Sequence, residues 1–267
     1  MPFRDLIGQA RAIRFLHRAL MTGRIAHAYL FTGPAGVGKR AAALAFAQAL
    51  NCEGGARCEV RNPPTPPLQK GGMGGFVVRG AELDDGCGDC RICRNIANGR
   101  HPDVQVIEPD GATVKIEQIR TLEADAALAS YEAQWKVFIL DRAERMTEQA
   151  ANALLKTLEE PARGTVFILL TSTVSALLPT IVSRCQTVTF SPLPNGQIEA
   201  LLIEKGVEPS RARLIASLSQ GSIERALSPE VASLSATRDL LLEGLGRGLH
   251  DGPAALVELT EKLVKDR

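Results

Sequence analysis

Gly33-Pro34-Ala35-Gly36-Val37-Gly38-Lys39-Arg40 carries the glycine spacing and the lysine of a phosphate-binding loop, followed by a residue such a loop does not use. In a working loop the glycines let successive backbone N–H groups turn inward around a β-phosphate. The lysine reaches the β and γ oxygens, and a Ser or Thr hydroxyl holds Mg²⁺. Arg40 stands where that hydroxyl belongs. A guanidinium has only donors and a permanent positive charge, so it cannot ligate a cation and repels one. The segment reads as built to hold a nucleotide or its fold, but not to hydrolyse ATP well.

Its flanks supply the context that a plain glycine turn lacks. Ala28-Tyr29-Leu30-Phe31 is a short apolar run entering the loop, and residues 40–50, rich in Ala and Leu, have helical periodicity. Strand, loop, helix is the order a phosphate-binding loop requires. Further apolar runs follow at 104–107, 137–140, 166–170 and 188–190, with helical patterns between most of them. Runs that are apolar throughout, rather than alternating, predict strands buried on both faces of a parallel sheet. An α/β P-loop domain over residues 1–190 is expected.

After Pro192 and Pro194 the pattern becomes helical: 197–204, 211–218 and 222–227 read as short helices, with Ser210 and Ser222 as N-caps and Gly221 as a stop. Residues 191–230 are expected to form a small helical domain. Two more helical stretches, 232–248 and 254–265, bury too little to fold alone and read as part of a larger domain over 231–267.

Composition sets the outer bounds. The chain has 267 residues with 45% hydrophobic content, enough for a core plus a smaller second unit. A formal net charge of +1 offers no basic footprint for autonomous nucleic-acid binding, so any DNA contact is expected to be shared with partners. The charged amino terminus has no apolar leader and no apolar run approaches the ~20 residues of a membrane span, so a cytoplasmic protein without membrane contact is expected.

Cys87, Cys90 and Cys93 are spaced C-x-x-C-x-x-C, with Cys52 and Cys58 upstream. Such spacing lets thiolates converge on one ion, and a fourth sulfur from Cys52 or Cys58 completes the closed tetrahedral site that structural zinc favours. An iron–sulfur cluster and unligated thiols are the alternatives. Within residues 52–93, the stretch 61–80 crowds prolines beside glycines and reads as a surface insertion.

Lys136-Val137-Phe138-Ile139-Leu140-Asp141 is an apolar strand ending in an acid, the form in which a Walker B carboxylate meets Mg²⁺; the bland alternative is a polar strand end. Arg142 stands where an ATPase carries the glutamate that activates water, and Glu144 is a weak substitute. Residues 147–160 form a helix capped by Thr147, on which Asn152 and Lys156 are either solvated or contact positions. The four histidines are scattered and read as surface or packing residues.

Residues 136–185, with Ala153-Leu154-Leu155-Lys156-Thr157-Leu158-Glu159-Glu160-Pro161 and Ser183-Arg184-Cys185, resemble the clamp-loader subunits of bacterial DNA polymerase III. So do Gly8-Gln9, His27-Ala28-Tyr29-Leu30-Phe31, the cysteine module and His101-Pro102-Asp103. The resemblance implies an AAA+ P-loop domain with an inserted zinc module, a helical lid and a collar domain, here short. It implies a hetero-pentameric ring with gamma/tau and delta subunits, acting on a sliding clamp and on primed DNA through the assembled complex.

Within the family, motor subunits carry a hydroxyl after the P-loop lysine, a glutamate after the Walker B aspartate and a sensor-2 arginine in a Gly-Ser-x-Arg pattern. Arg40, Arg142 and Glu224 occupy those places, with Arg225 one position along. These departures favour the stator-type member over the motor type. The resemblance then assigns Arg184 as an arginine finger acting in trans and Thr171 to the sensor-1 position. Gly33, Gly36, Gly38, Lys39, Arg40 and Asp141, with Thr171, make up the degenerate nucleotide site read from the loop and strand, which holds ATP or ADP without hydrolysing it or holds no nucleotide. Cys52, Cys87, Cys90 and Cys93 become the zinc ligands. An active P-loop ATPase and a zinc-dependent DNA-binding module are the competing readings.

Overall fold

A computed structural model describes residues 2–53, 85–229 and 231. Cys58, the proline- and glycine-rich stretch 61–80 and the expected collar segment from residue 232 lie outside the described residues. The chain divides into two compact units, Met1–Pro34 with Gly38–Ser191 and Ala35–Val37 with Pro192–Arg267.

The first unit is an α/β layer structure. Its strands are β1 (Ala28–Thr32), β2 (Val104–Ile107), β3 (Lys136–Leu140), β4 (Thr165–Thr171) and β5 (Gln186–Thr189), paired in the order β2-β3-β4-β1-β5. Every pairing is parallel. Its helices are α1 (Ala10–Thr22), α2 (Lys39–Asn51), α3 (Arg91–Ala97), α4 (Ile116–Ala127), α5 (Glu148–Glu159) and α6 (Pro179–Val182). The central strands β1, β3 and β4 are buried at every position, as their unbroken apolar sequences predict.

Successive side chains of a strand point to opposite faces, so each run serves two cores. Leu30, Leu140 and Leu169 pack with Ile119 and Leu122 of α4 and with Leu154 and Leu158 of α5. Phe138 and Phe167 stack on the same side, with ring centroids 5.6 Å apart. Tyr29 and Phe31 point to the opposite face, where Tyr29 meets Phe46 of α2 edge-on at 5.2 Å. Near-continuous burial along α2 explains its alanines, which let a helix lie close to the sheet.

β5 begins two residues before the expected run and ends before Phe190. It is an edge strand with only Val188 buried, so polar Gln186, Thr187 and Thr189 are tolerated and hide the strand's start. Phe190 is buried just beyond it, its N–H donating to the Thr32 carbonyl at 2.7 Å.

In the second unit, α7 (Asn195–Glu204), α8 (Pro209–Leu218) and α9 (Ile223–Ala226) bury Ile198, Leu202, Ala212, Ile215 and Ala226. Ser222 caps α9, accepting from the Arg225 N–H at 3.2 Å. The cap of α8 is Glu208 rather than Ser210: Pro209 opens the helix, and the Glu208 carboxylate accepts from the N–H groups of Ser210 and Arg211 at 3.1 and 3.0 Å.

Candidate nucleotide site and cysteine centre

β1 ends at Thr32 and α2 begins at Lys39, so the glycine loop sits at the carboxyl end of a central strand. There an open parallel sheet places its ligands. Gly33 has φ +143, and a Cβ there would collide with the Phe190 carbonyl oxygen. Gly38 has φ +98 and precedes the first residue of α2. The Lys39 ammonium donates to the loop carbonyls of Gly33 and Pro34 at 2.5 and 2.7 Å, which places it inside the turn it would share with phosphate.

Arg40 does more than fill the hydroxyl's position. Its Nη1 lies 3.4 Å from Oδ2 of Asp141 and is also ion-paired with Glu108. Glu108 went unmarked in the sequence. The only signal for it is register: Ile107 pairs with Leu140, so Glu108 and Asp141 are the next residues along two adjacent parallel strands.

Gly36 belongs to the second unit. It has φ +73, and a Cβ there would strike the Ser222 hydroxyl. Its carbonyl accepts from the Ile223 N–H at 3.0 Å and the Glu224 N–H at 3.4 Å. Arg225, one position past the sensor-2 place, donates to Gln220 Oε1 at 2.9 Å.

The groups that would activate water are otherwise engaged. Arg142 is exposed in the left-handed region at φ 51, and its N–H donates to Asp141 Oδ1 at 2.9 Å. Glu144 accepts from the Ser172 hydroxyl at 2.6 Å. Burial pushes the Glu144 carboxyl up, but hydrogen bonds from Ser172, its own backbone and Thr171 outweigh it and hold the group below the usual range. It is thus a tied anion, not a base poised for a proton. Thr171 is buried at the end of β4, its hydroxyl donating to the Thr173 carbonyl and accepting from the Thr173 N–H, both at 3.1 Å. Asn152 and Lys156 are exposed on α5.

Arg184 lies just past α6, away from these groups in sequence and held by its own chain: Nη1 donates to the Thr180 carbonyl at 3.0 Å and Nη2 pairs with Glu159. His101 and Asp103 are buried structural residues. The Asp103 N–H donates to His101 Nδ1 at 3.1 Å, and the Asp103 carboxylate accepts from three backbone N–H groups of 131–133 at 2.7 to 2.9 Å.

Cys52, Cys87, Cys90 and Cys93 converge, their sulfur atoms all within 4.8 Å of one another. Cys52 follows α2, while Cys87-Gly88-Asp89-Cys90 turns with Gly88 at φ +82 and delivers Cys93 into the first turn of α3. N–H groups point at sulfur throughout: Cys87 to Cys52 and Cys90 to Cys87 at 3.3 Å, Cys93 to Cys90 at 3.4 Å. Those donors favour thiolates. Against them, the hydrogen bond with Cys52 and then burial raise the Cys93 thiol, and burial raises Cys87, so the cluster ionises with help from a cation. Four sulfurs at this spacing, with none left for substrate, fit a closed metal site.

A family model described as DNA polymerase III, delta subunit, matches residues 8–62 and 76–194. The delta' subunit of DNA polymerase III from Bacillus subtilis is 37% identical over 217 residues, covering 81% of this chain and 57% of that protein. The delta' subunit from Pseudomonas aeruginosa is 34% identical over 245 residues, 91% of this chain and 62% of its own length. The tau subunit from Bacillus subtilis is 33% identical over 250 residues, 90% of this chain and 39% of tau. The chain thus spans less than two thirds of the length of these relatives. Among solved structures, a gamma subunit-related protein of Thermotoga maritima superposes with a TM-score of 0.51 at 22% identity, covering 94% of this chain and 78% of that one. The RuvB Holliday junction branch migration motor of the same organism gives 0.52 at 14% identity, covering 98% and 71%. Both likenesses bear on the fold alone, an α/β architecture with a parallel sheet and a glycine loop after β1.

Proposed function

Because this chain belongs to the DNA polymerase III, delta subunit family, we propose that it acts as a delta prime, the stator subunit of a bacterial clamp loader. In this reading it joins gamma/tau and delta subunits in a hetero-pentameric ring that closes a sliding clamp on primed DNA in the cytoplasm. Arg184 reaches the ATP of a neighbouring subunit, where an arginine finger in trans is worth roughly 10³ to 10⁵ in rate. The chain's own P-loop holds ATP or ADP without turnover, or holds none. The AAA+ domain is residues 1–190, the lid 191–230, and the collar contribution 231–267.

The observation that carries the proposal is the pairing of Arg40 with Asp141. A motor subunit needs Mg²⁺ at that carboxylate, and a permanent positive charge beside it opposes the ion. Likeness to tau gives the motor-type reading its support, but that reading must also place a base where Arg142 stands and Glu144 is tied to Ser172. Zinc at Cys52, Cys87, Cys90 and Cys93 would be structural, supplying a cross-link between the end of α2 and the start of α3 while the thiolates neutralise its charge.

Mixing the purified chain with gamma/tau and delta subunits tests the proposal by mass measurement of the assembly. One copy per ring that raises clamp loading above the level of gamma/tau and delta alone is expected. Rings that form and load equally well without it would refute the stator role.

A further inference from the structure

P-loop folds bind nucleotide with a divalent cation, held by the hydroxyl after the lysine and by the carboxylate on a neighbouring strand. The residues of this chain do not fit that ion. Position 40 offers no oxygen, and its guanidinium already contacts both Asp141 and Glu108. These carboxylates stand one residue beyond β2 and β3, whose register sets them side by side. Without a cation between them they would repel; a guanidinium, with five donors in a planar fork, can serve two carboxylates at once.

We propose that Arg40 is a resident cation that replaces the divalent metal, and that Asp141 and Glu108 are a latent divalent-cation site which Arg40 keeps closed. A metal entering would have to displace two ion pairs and then share the space with a charge that cannot be titrated away. Replacing Arg40 by serine removes the repulsion and supplies the missing hydroxyl in one step. The inference goes beyond the loader role and rests on groups of the first unit alone.

Mn²⁺ is the probe, since carboxylate and water ligands suit it as they suit Mg²⁺ and its free form is counted by electron paramagnetic resonance. The full chain, metal-loaded at its cysteines, is titrated with Mn²⁺ with and without ADP as wild type, Asp141→Asn, Arg40→Ser and the double variant. Wild type should bind Mn²⁺ no more tightly than Asp141→Asn. Arg40→Ser should gain one site, about tenfold tighter or better, that the double variant loses. An Asp141-dependent Mn²⁺ site in wild type would overturn the proposal, as would a folded Arg40→Ser chain that gains none. Should Arg40→Ser fail to fold, the comparison of wild type with Asp141→Asn still decides. Ring assembly is read separately: a chain that assembles yet binds Mn²⁺ through Asp141 overturns this inference and removes the case against a motor-type site, while its place in the ring stands.

Discussion

Arg184 and Glu159 are ion-paired within one chain, guanidinium Nη2 to carboxylate Oε1, while Nη1 of the same guanidinium donates to the Thr180 carbonyl at 3.0 Å. The Glu159 side chain is half exposed, at 51%, and that of Arg184 one third, at 34%. A pair this wet costs less than about 1 kcal/mol to break, so a phosphate from outside can compete for the arginine. The pair therefore fits a finger that is oriented but not locked.

Arg184→Ala should leave folding, metal content and any nucleotide affinity of the isolated chain unchanged, and should depress ATP hydrolysis by the reconstituted loader. In the proposed ring only one interface would lose a finger, so total hydrolysis should fall in part, while clamp loading should fall further where the sites are coordinated. Steady-state ATPase with primed DNA and clamp, wild type against variant, is the measurement. Equal rates in fully assembled complexes would remove Arg184 from the mechanism and return the motor reading to contention.

The isolated chain should show no appreciable ATPase activity, because Arg40 pairs with Asp141 and Glu144 is bound to Ser172. Lys39→Ala should therefore change nothing in a turnover assay of the chain alone. Phosphate release at about one per second, within the usual enzyme range, that Lys39→Ala abolishes would contradict both the site geometry and the stator assignment.

The central sheet was legible because burial on both faces writes itself as unbroken apolar runs, as in β3 and β4. β5 was legible only at Val188, since an edge strand exposes its other residues. Spacing alone marked the three clustered cysteines, but the choice of Cys52 depends on where α2 ends relative to α3, which is tertiary. Glu108 carries no signal within its own segment. Its partnership with Arg40 follows from the register of β2 on β3, and register is not a property of either segment alone. Ser210 reads as a cap because a serine before a helical run is a common start; Pro209 ahead of it moves the start two residues earlier and gives the capping to Glu208.

The cysteine centre should hold one zinc ion per chain, a site type whose apparent binding free energy is about 10 to 16 kcal/mol in peptides. Elemental analysis of protein purified without chelator gives the stoichiometry. Cys52→Ser should lower it sharply and destabilise the end of α2, whereas Cys58→Ser should leave the metal in place. Retention of zinc in Cys52→Ser with its loss in Cys58→Ser would reassign the fourth ligand, and a stoichiometry near zero in wild type would dismiss the site.

Asp103 is the buried acid on which the loop before β3 is folded. Its carboxylate takes N–H groups from Tyr131 at 2.7 Å and from Glu132 and Ala133 at 2.9 Å each. Burial alone would raise its pKa, but those hydrogen bonds and the nearby His101 pull it below the ordinary value. A depressed pKa in the folded state means stability that is present above the unfolded value, near 3.9, and is lost as pH falls through the folded one. Asp103→Ala strands three donors in a dry site and should cost on the order of 3 kcal/mol. Asp103→Asn keeps the shape but turns an amide donor toward other donors, so it too should destabilise the chain at neutral pH. The gap between wild type and Asp103→Asn, followed by urea unfolding, should then narrow on acidification below about pH 4, as wild type loses the charge that Asn never had. Taking the difference cancels acid effects common to both chains, such as loss of metal from the cysteines. A gap that stays constant well below that pH, while both chains still fold, would show that charge on Asp103 contributes nothing and that only its shape matters.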